Sequence, residues 1–233
     1  QQENTLVTPI NRYLDAAVLK PETSREEAIA AIQACITLDA RTVCVRPCDI
    51  ALASELCAGT STDVCVVLGF PHGDQLTASK ADEARQYVKT GVHEIDMVAN
   101  YGWARSGFWD DVEADIRAVV EVAKPAGIPV KVIFETSQLD HEQITALTHA
   151  SLNAGATFVK TSTGFNGGGA TEDAIRTMLQ AANGNIQVKA SGGIRDRATA
   201  EKFIAMGVGR LGVNWASCGA ICSGGGATGK DNY

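Results

Sequence analysis

At 233 residues, with 45% hydrophobic and 20% charged positions, the chain is long enough for one core that buries roughly 70–75% of its unfolded surface. A formal net charge of -7, with no Lys/Arg-rich run and no RNA-binding motif, argues against a nucleic-acid partner. No apolar run approaches a membrane span, and Gln1-Gln2-Glu3-Asn4 lacks the basic-then-apolar order of a signal peptide, so the expectation is a cytoplasmic protein with no membrane partner, its start at Gln rather than Met taken as processing.

In chain order, Tyr13-Leu14-Asp15-Ala16-Ala17-Val18-Leu19-Lys20-Pro21 reads as a short strand stopped by proline. Residues 24–38 then follow helical spacing, with Ser24 as N-cap and Glu27 at the capping-box position. Thr42-Val43-Cys44-Val45 is a second strand, followed by a short helix near residues 50–56. A nearly continuous apolar third strand covers residues 64–71, with its helix over 77–90. Glu94-Ile95-Asp96-Met97-Val98 is the fourth, ahead of a long helix from about 109 to 126. Strands five, six and seven are Val130-Lys131-Val132-Ile133-Phe134-Glu135, Phe158-Val159-Lys160-Thr161-Ser162-Thr163-Gly164 and Val188-Lys189-Ala190-Ser191-Gly192-Gly193. Helices near 141–154, 171–182 and 197–206 lie between and after them, and Gly209-Arg210-Leu211-Gly212-Val213 is the eighth strand.

Eight alternating strand–helix units with near-continuous apolar strands predict an α/β protein, a single-domain (β/α)8 TIM barrel over residues 1–233, with a flexible Gly-rich tail from about 223. An open doubly wound sheet is the competing arrangement. It would want a Gly-x-Gly-x-x-Gly turn after the first strand, and Lys20-Pro21-Glu22 is not one.

Three lysines, 131, 160 and 189, recur every 29 residues inside apolar strands. A buried ammonium is costly, so three at one structural phase suggest a cationic interior with a chemical purpose. Strand alternation puts Asp96 on the opposite face from Ile95 and Met97, hence among the lysines, where it could relay protons. A neighbouring ammonium lowers a lysine's pKa, and the free amine that results can form a Schiff base whose iminium accepts the electrons of a breaking carbon–carbon bond. The blander reading makes the lysines strand-end residues paired with acids such as Asp96 and Glu135.

Seven scattered cysteines without Cys-x2-Cys pairs, and four histidines without a ligand pattern, read as buried thiols and ordinary histidines, so neither a metal nor a cofactor is expected. The glycine-rich loops after the last strands, Thr163-Gly164-Phe165-Asn166-Gly167-Gly168-Gly169 and Ser191-Gly192-Gly193, together with Gly212, suggest a phosphate site at the C-terminal end of the barrel. Three functions fit this pattern: a class I aldolase, a barrel enzyme acting on a phosphosugar without a covalent intermediate, such as an isomerase or decarboxylase, and a sugar-phosphate binding protein.

The strings around Asp96, Lys131, Lys160 and Lys189, with Leu68-Gly69-Phe70-Pro71-His72-Gly73, resemble those of the deoxyribose-phosphate aldolase family, in order, from about residue 14 to 211. The resemblance implies reversible cleavage of 2-deoxyribose 5-phosphate to glyceraldehyde 3-phosphate and acetaldehyde. It makes Lys160 the Schiff-base lysine, Lys189 the neighbour that depresses its pKa, and Asp96 the acid/base residue working through a water. Lys131 and Thr161 take supporting places, Cys44 matches a site-proximal cysteine, and Tyr233 a C-terminal tyrosine whose tail can reach the site. Gly164, Phe165, Gly192, Gly193, Gly212, Asn214 and Trp215 fall at the substrate and phosphate end. The implied partners are small-molecule aldehydes and sugar phosphates, and a homodimer is allowed. Two departures stand out: Ala16-Ala17 replaces a His-Thr pair, and Asn214-Trp215 replaces a Ser-Ser pair. The second implies a weaker grip on phosphate and readier acceptance of non-phosphorylated aldehydes.

Overall fold

The computed structural model describes residues 7–225. Strands β1 (Leu14–Val18), β2 (Thr42–Val45), β3 (Asp63–Leu68), β4 (Glu94–Val98), β5 (Val130–Ile133), β6 (Phe158–Lys160), β7 (Gln187–Ser191) and β8 (Arg210–Asn214) pair in parallel and in chain order, and β8 closes onto β1. The closed (β/α)8 barrel is the fold the sequence predicts. Around it lie α1 (Arg25–Thr37), α2 (Ile50–Cys57), α3 (Thr77–Tyr87), α4 (Tyr101–Ser106), α5 (Trp109–Ala123), α6 (His141–Asn153), α7 (Glu172–Ala182), α8 (Arg197–Met206) and α9 (Trp215–Ser223). Tyr233 and most of the Gly-rich tail lie outside the described residues.

Short polar side chains start most of these helices. Ser24 with Glu27, and Asp140 with Gln143, form capping boxes on α1 and α6, while Thr171 and Asp196 cap α7 and α8. Two helices differ from the sequence reading. α4 is only six residues long, held by Asn100 at its start and stopped by Gly107 at φ 75°, too short to show a period. α9 is built from small residues and contains Gly219, so it carries no amphipathic signal.

Alternation divides the barrel into two compartments. Leu14, Ala16, Val43, Val64, Val66, Ile95, Met97, Val130, Val132, Val159, Val188 and Leu211 face the helices and form the main apolar core. The inward positions hold a small apolar cluster of Ala17, Leu19, Cys44, Cys65 and Val67, and a group of buried charges with Phe158 packed against it. The two alanines of the first departure therefore face opposite ways, and Ala17 alone of them touches the interior cluster.

Behind β4 a second buried ion pair fixes the strand's outer end. Lys80 Nζ donates to Asp115 Oδ2 at 2.6 Å and to the Val98 carbonyl at 3.0 Å, and Thr77 Oγ1 completes Asp115 at 2.7 Å. Both charges are buried. Replacing one partner of such a pair leaves the other uncompensated, so Lys80→Ala is expected to lower unfolding stability by about 3–5 kcal/mol, measured by urea denaturation.

Candidate active site

Among the described residues, the barrel interior contains seven buried charged side chains: Asp15, Glu94, Asp96, Lys131, Lys160, Lys189 and Arg210. Asp96 is their hub. Its Oδ1 accepts from Lys131 Nζ at 2.8 Å and from Cys65 Sγ at 3.3 Å; its Oδ2 accepts from Lys160 Nζ at 3.1 Å and Lys189 Nζ at 2.8 Å. Lys160 and Lys189 are register partners on β6 and β7, so both long side chains converge on one oxygen, well within like-charge range of each other.

The remaining acids lie on the same inward phase. Lys131 Nζ is 2.5 Å from Glu94 and 3.3 Å from Asp15, and Lys189 Nζ is 2.7 Å from Asp15. Arg210 donates to Asp15 at 2.8 Å and to both Glu94 oxygens at 2.9 and 3.0 Å. The Phe158 ring packs beneath these cations, 5.9 Å from Lys131 Nζ and 5.2 Å from Arg210 Cζ.

This arrangement changes the expected electrostatics. Burial pushes every carboxyl up, but Lys131 and Lys189, with Arg210 beside Asp15 and Lys160 beside Asp96, reverse it and hold both aspartates well below the usual carboxylate range. Burial pushes the lysines down, yet Asp15 and Asp96 override it, so Lys131 and Lys189 are held firmly protonated. The interior is not a bare cationic cluster. Four cations face three carboxylates, an excess of one positive charge if every group is ionised.

Glu135 does not pair with the lysines. It sits in the left-handed region at φ 57° just after β5, and its buried carboxylate accepts from Thr163 N–H at 3.2 Å, Thr163 Oγ1 at 2.5 Å and Asn166 Nδ2 at 2.8 Å. It thereby ties down the loop that follows Lys160. Thr161 Oγ1 bridges β6 to β7 through the Ser191 carbonyl and N–H, each at 3.0 Å. Beside it, Ser162 Oγ is buried with no hydrogen-bond partner among the described residues, a donor open to a ligand oxygen.

Part of the glycine content has a packing cause. A Cβ on Gly169 would stand 2.7 Å from the Gly192 carbonyl, and Ala170 N–H donates to that same carbonyl at 3.0 Å. Gly164 and Gly193 keep the turns of the two loops, at φ 82° and 76°. Phe165 gives its N–H to Thr163 Oγ1 and meets Phe70 edge-on at 5.3 Å, so its ring roofs the apolar cluster. Gly212 lies within β8, opposite Asp15 and Ser191, rather than in a loop. Asn214 caps α9, its side chain accepting from Ala216 N–H at 3.0 Å, and Trp215 is the first helical residue. Both line a cavity of about 270 Å³ at the mouth, together with Lys20 and Glu22.

Residues 12–222 match the family described as DeoC/LacD family aldolase. The chain belongs to that family. Deoxyribose-phosphate aldolase 1 of Staphylococcus aureus strain MSSA476 is 42% identical over 203 residues, covering 87% of this chain and 91% of its own. The solved structure of QR15, an aldolase, superposes on this family member with a TM-score of 0.86 at 35% identity, covering 93% and 96% of the two chains. A deoxyribose phosphate aldolase from Aeropyrum pernix, described as a unique tetrameric structure, gives a TM-score of 0.84 at 27% identity, covering 92% of this chain and 89% of its own.

The fold brings Asp96, Lys131, Lys160, Lys189 and Cys44 to one interior and adds four residues that the sequence reading passed over: Asp15, Glu94, Arg210 and Cys65. Glu94 stands two residues before Asp96 and Arg210 lies inside the eighth strand, so strand phase alone places both inward. The depressed carboxyl pKa values carry a pH signature. Pairing of the ionised Asp15 adds stability that is fully present above the unfolded value of about 4 and is lost as pH falls toward the lower folded value. Asp15→Asn is expected to be less stable than the parent at neutral pH, by a margin that shrinks below about pH 4; denaturant unfolding of both proteins across this range measures it.

Proposed function

We propose that the protein is a class I aldolase that reversibly cleaves 2-deoxy-D-ribose 5-phosphate to D-glyceraldehyde 3-phosphate and acetaldehyde through a Schiff base on Lys160. The observation that carries the choice of nucleophile is the interior charge balance. Three cations suffice to answer Asp15, Glu94 and Asp96; Arg210 keeps its proton and Asp15 and Asp96 hold Lys131 and Lys189 protonated, so Lys160 is the amine left to be neutral. The Lys189 ammonium, sharing Oδ2 of Asp96, favours that neutral form. Lys160 also ends β6, directly below the loop that Glu135 holds.

The steps then follow from the residues present. The Lys160 amine attacks the aldehyde carbon of the open-chain sugar, and loss of water gives the iminium. Asp96, held ionised, accepts the C3 hydroxyl proton through a water as the C2–C3 bond breaks. The bond's electrons move into the iminium, leaving a neutral enamine, and glyceraldehyde 3-phosphate departs. Protonation at C2 and addition of water release acetaldehyde and return the amine.

Gly164, Phe165, Gly192, Gly193, Gly212, Asn214 and Trp215 form the phosphate end in this reading. Asn214 already occupies a backbone N–H at the start of α9 that an anion would use, and Trp215 adds bulk at the mouth. Phosphate is therefore held less tightly than with a serine pair. All seven cysteines are free thiols, which fits a reducing cytosol, and no helix among the described residues is long and apolar enough to cross a membrane. A homodimer belongs to the same reading.

Borohydride reduction in the presence of acetaldehyde should leave an ethyl adduct on Lys160, located by peptide mass spectrometry; an adduct confined to Lys131 or Lys189 overturns the assignment. Placing serines at 214 and 215 should raise the ratio of kcat/KM for phosphorylated over unphosphorylated deoxyribose, by roughly tenfold if one hydrogen bond to the charged group is gained.

A further inference from the structure

The interior also holds two nucleophiles that the aldol steps leave unused. Cys44 in β2 and Cys65 in β3 are direct register partners on adjacent parallel strands, and both are buried in the apolar cluster beside Asp96. Both sulfurs lie with an Asp96 oxygen inside a group whose ligand atoms are all within 4.8 Å of one another. Strands about 4.7–4.9 Å apart bring paired Cα atoms into the range that a disulfide spans.

We propose that Cys44 and Cys65 form an oxidative modification site, at which hydrogen peroxide entering by the aldehyde's route makes a disulfide that slows the aldolase. The inference uses the proposed activity for its consequence, not for the bond itself. The Cys44 thiolate attacks one peroxide oxygen, the O–O bond breaks, and the departing hydroxide takes a proton to leave as water, giving a sulfenic acid. Cys65 sulfur then attacks that sulfur, the S–O bond breaks, and a second water leaves with the Cys65 proton. Two thiols lose two electrons and one peroxide becomes two waters.

The surroundings select this pair. The neighbouring Cys65 thiol, with Lys189 and Lys160 nearby, favours the Cys44 thiolate despite its burial and the Asp96 charge. Burial pushes Cys35 up to about 12, Cys57 up to about 11 and Cys65 well above the usual thiol range, so Cys44 is the thiol that meets peroxide first and Cys65, its register partner, follows with its proton still on sulfur. The same three ligand atoms are spaced as a soft metal ion would need, but Lys131, Lys160 and Lys189 already occupy Asp96, and their charge favours anionic sulfur over a bound cation. Oxidation removes the Cys65 thiol proton from Asp96 Oδ1 and disturbs the contact that Lys131 Nζ makes to Cys65 Sγ at 3.5 Å. The carboxylate that gathers all three lysines is therefore perturbed.

The test treats the full chain with hydrogen peroxide, alkylates free thiols, digests without reduction, and assays activity in parallel. A peptide linking Cys44 to Cys65 should appear in step with an activity loss of about tenfold, as expected for one hydrogen bond lost at a buried charge, and dithiothreitol should reverse both. Cys48→Ser, which removes an exposed competitor, should behave as the parent. Cys44→Ala and Cys65→Ala should each keep their own untreated activity. Oxidation without the linked peptide, the linked peptide with unchanged activity, or equal loss in both alanine variants overturns the proposal. The peptide is read without substrate, so failure of the aldolase assignment cannot hide it.

Discussion

One carboxylate has to be shared among three ammonium groups, and the rest of the interior follows from that requirement. Asp96 can accept from Lys131, Lys160 and Lys189 because β4, β5, β6 and β7 deliver the four side chains at one inward phase. The remaining charge is answered lower down, where Asp15 and Glu94 meet Arg210. A barrel of this kind is ordinarily filled with branched apolar side chains, and replacing them with ions demands that nearly every donor and acceptor be matched. The outward face bears none of this burden. It keeps the apolar packing against the helices that holds the strands at the required register.

Much of the fold was legible because two periods alternate without interruption. Eight short apolar runs separated by helical segments admit few parallel arrangements, and caps such as Ser24 with Glu27 mark helix starts to the residue. The interior was legible in part. Lys131, Lys160 and Lys189 were visible as costly residues in apolar strings, but their partners were not. Asp15 and Glu94 look like ordinary strand-edge acids until closure brings β1 and β4 to opposite sides of Arg210. This hidden complement reverses the electrostatic expectation, since lysines read without their acids appear mutually repelling and with them are held protonated.

The loops were harder to read because a glycine has several physical causes. Gly169 exists against Gly192 because any side chain would collide with backbone, a cause that no local string announces. Glu135 was visible as an acid beside the lysines, yet it turns through a left-handed residue to serve the next loop. The Asn214 side-chain oxygen likewise accepts from the first turn of α9, so a residue that fits a ligand contact on paper is committed to the chain's own architecture.

The imbalance of four cations over three carboxylates also bears on the charge that the proposed reaction moves. With Lys160 neutral the interior is balanced, and the iminium proposed on that amine would restore the excess positive charge in a place where solvent cannot spread it. In that mechanism the bonding pair drawn into the nitrogen neutralises the iminium while Asp96, bonded to the same amine, takes up the C3 proton, so the positive charge moves between two neighbouring buried groups. Fixed charges laid down at folding would thus face the same excess before and after the carbon–carbon bond yields, with no charge carried out to solvent at that step.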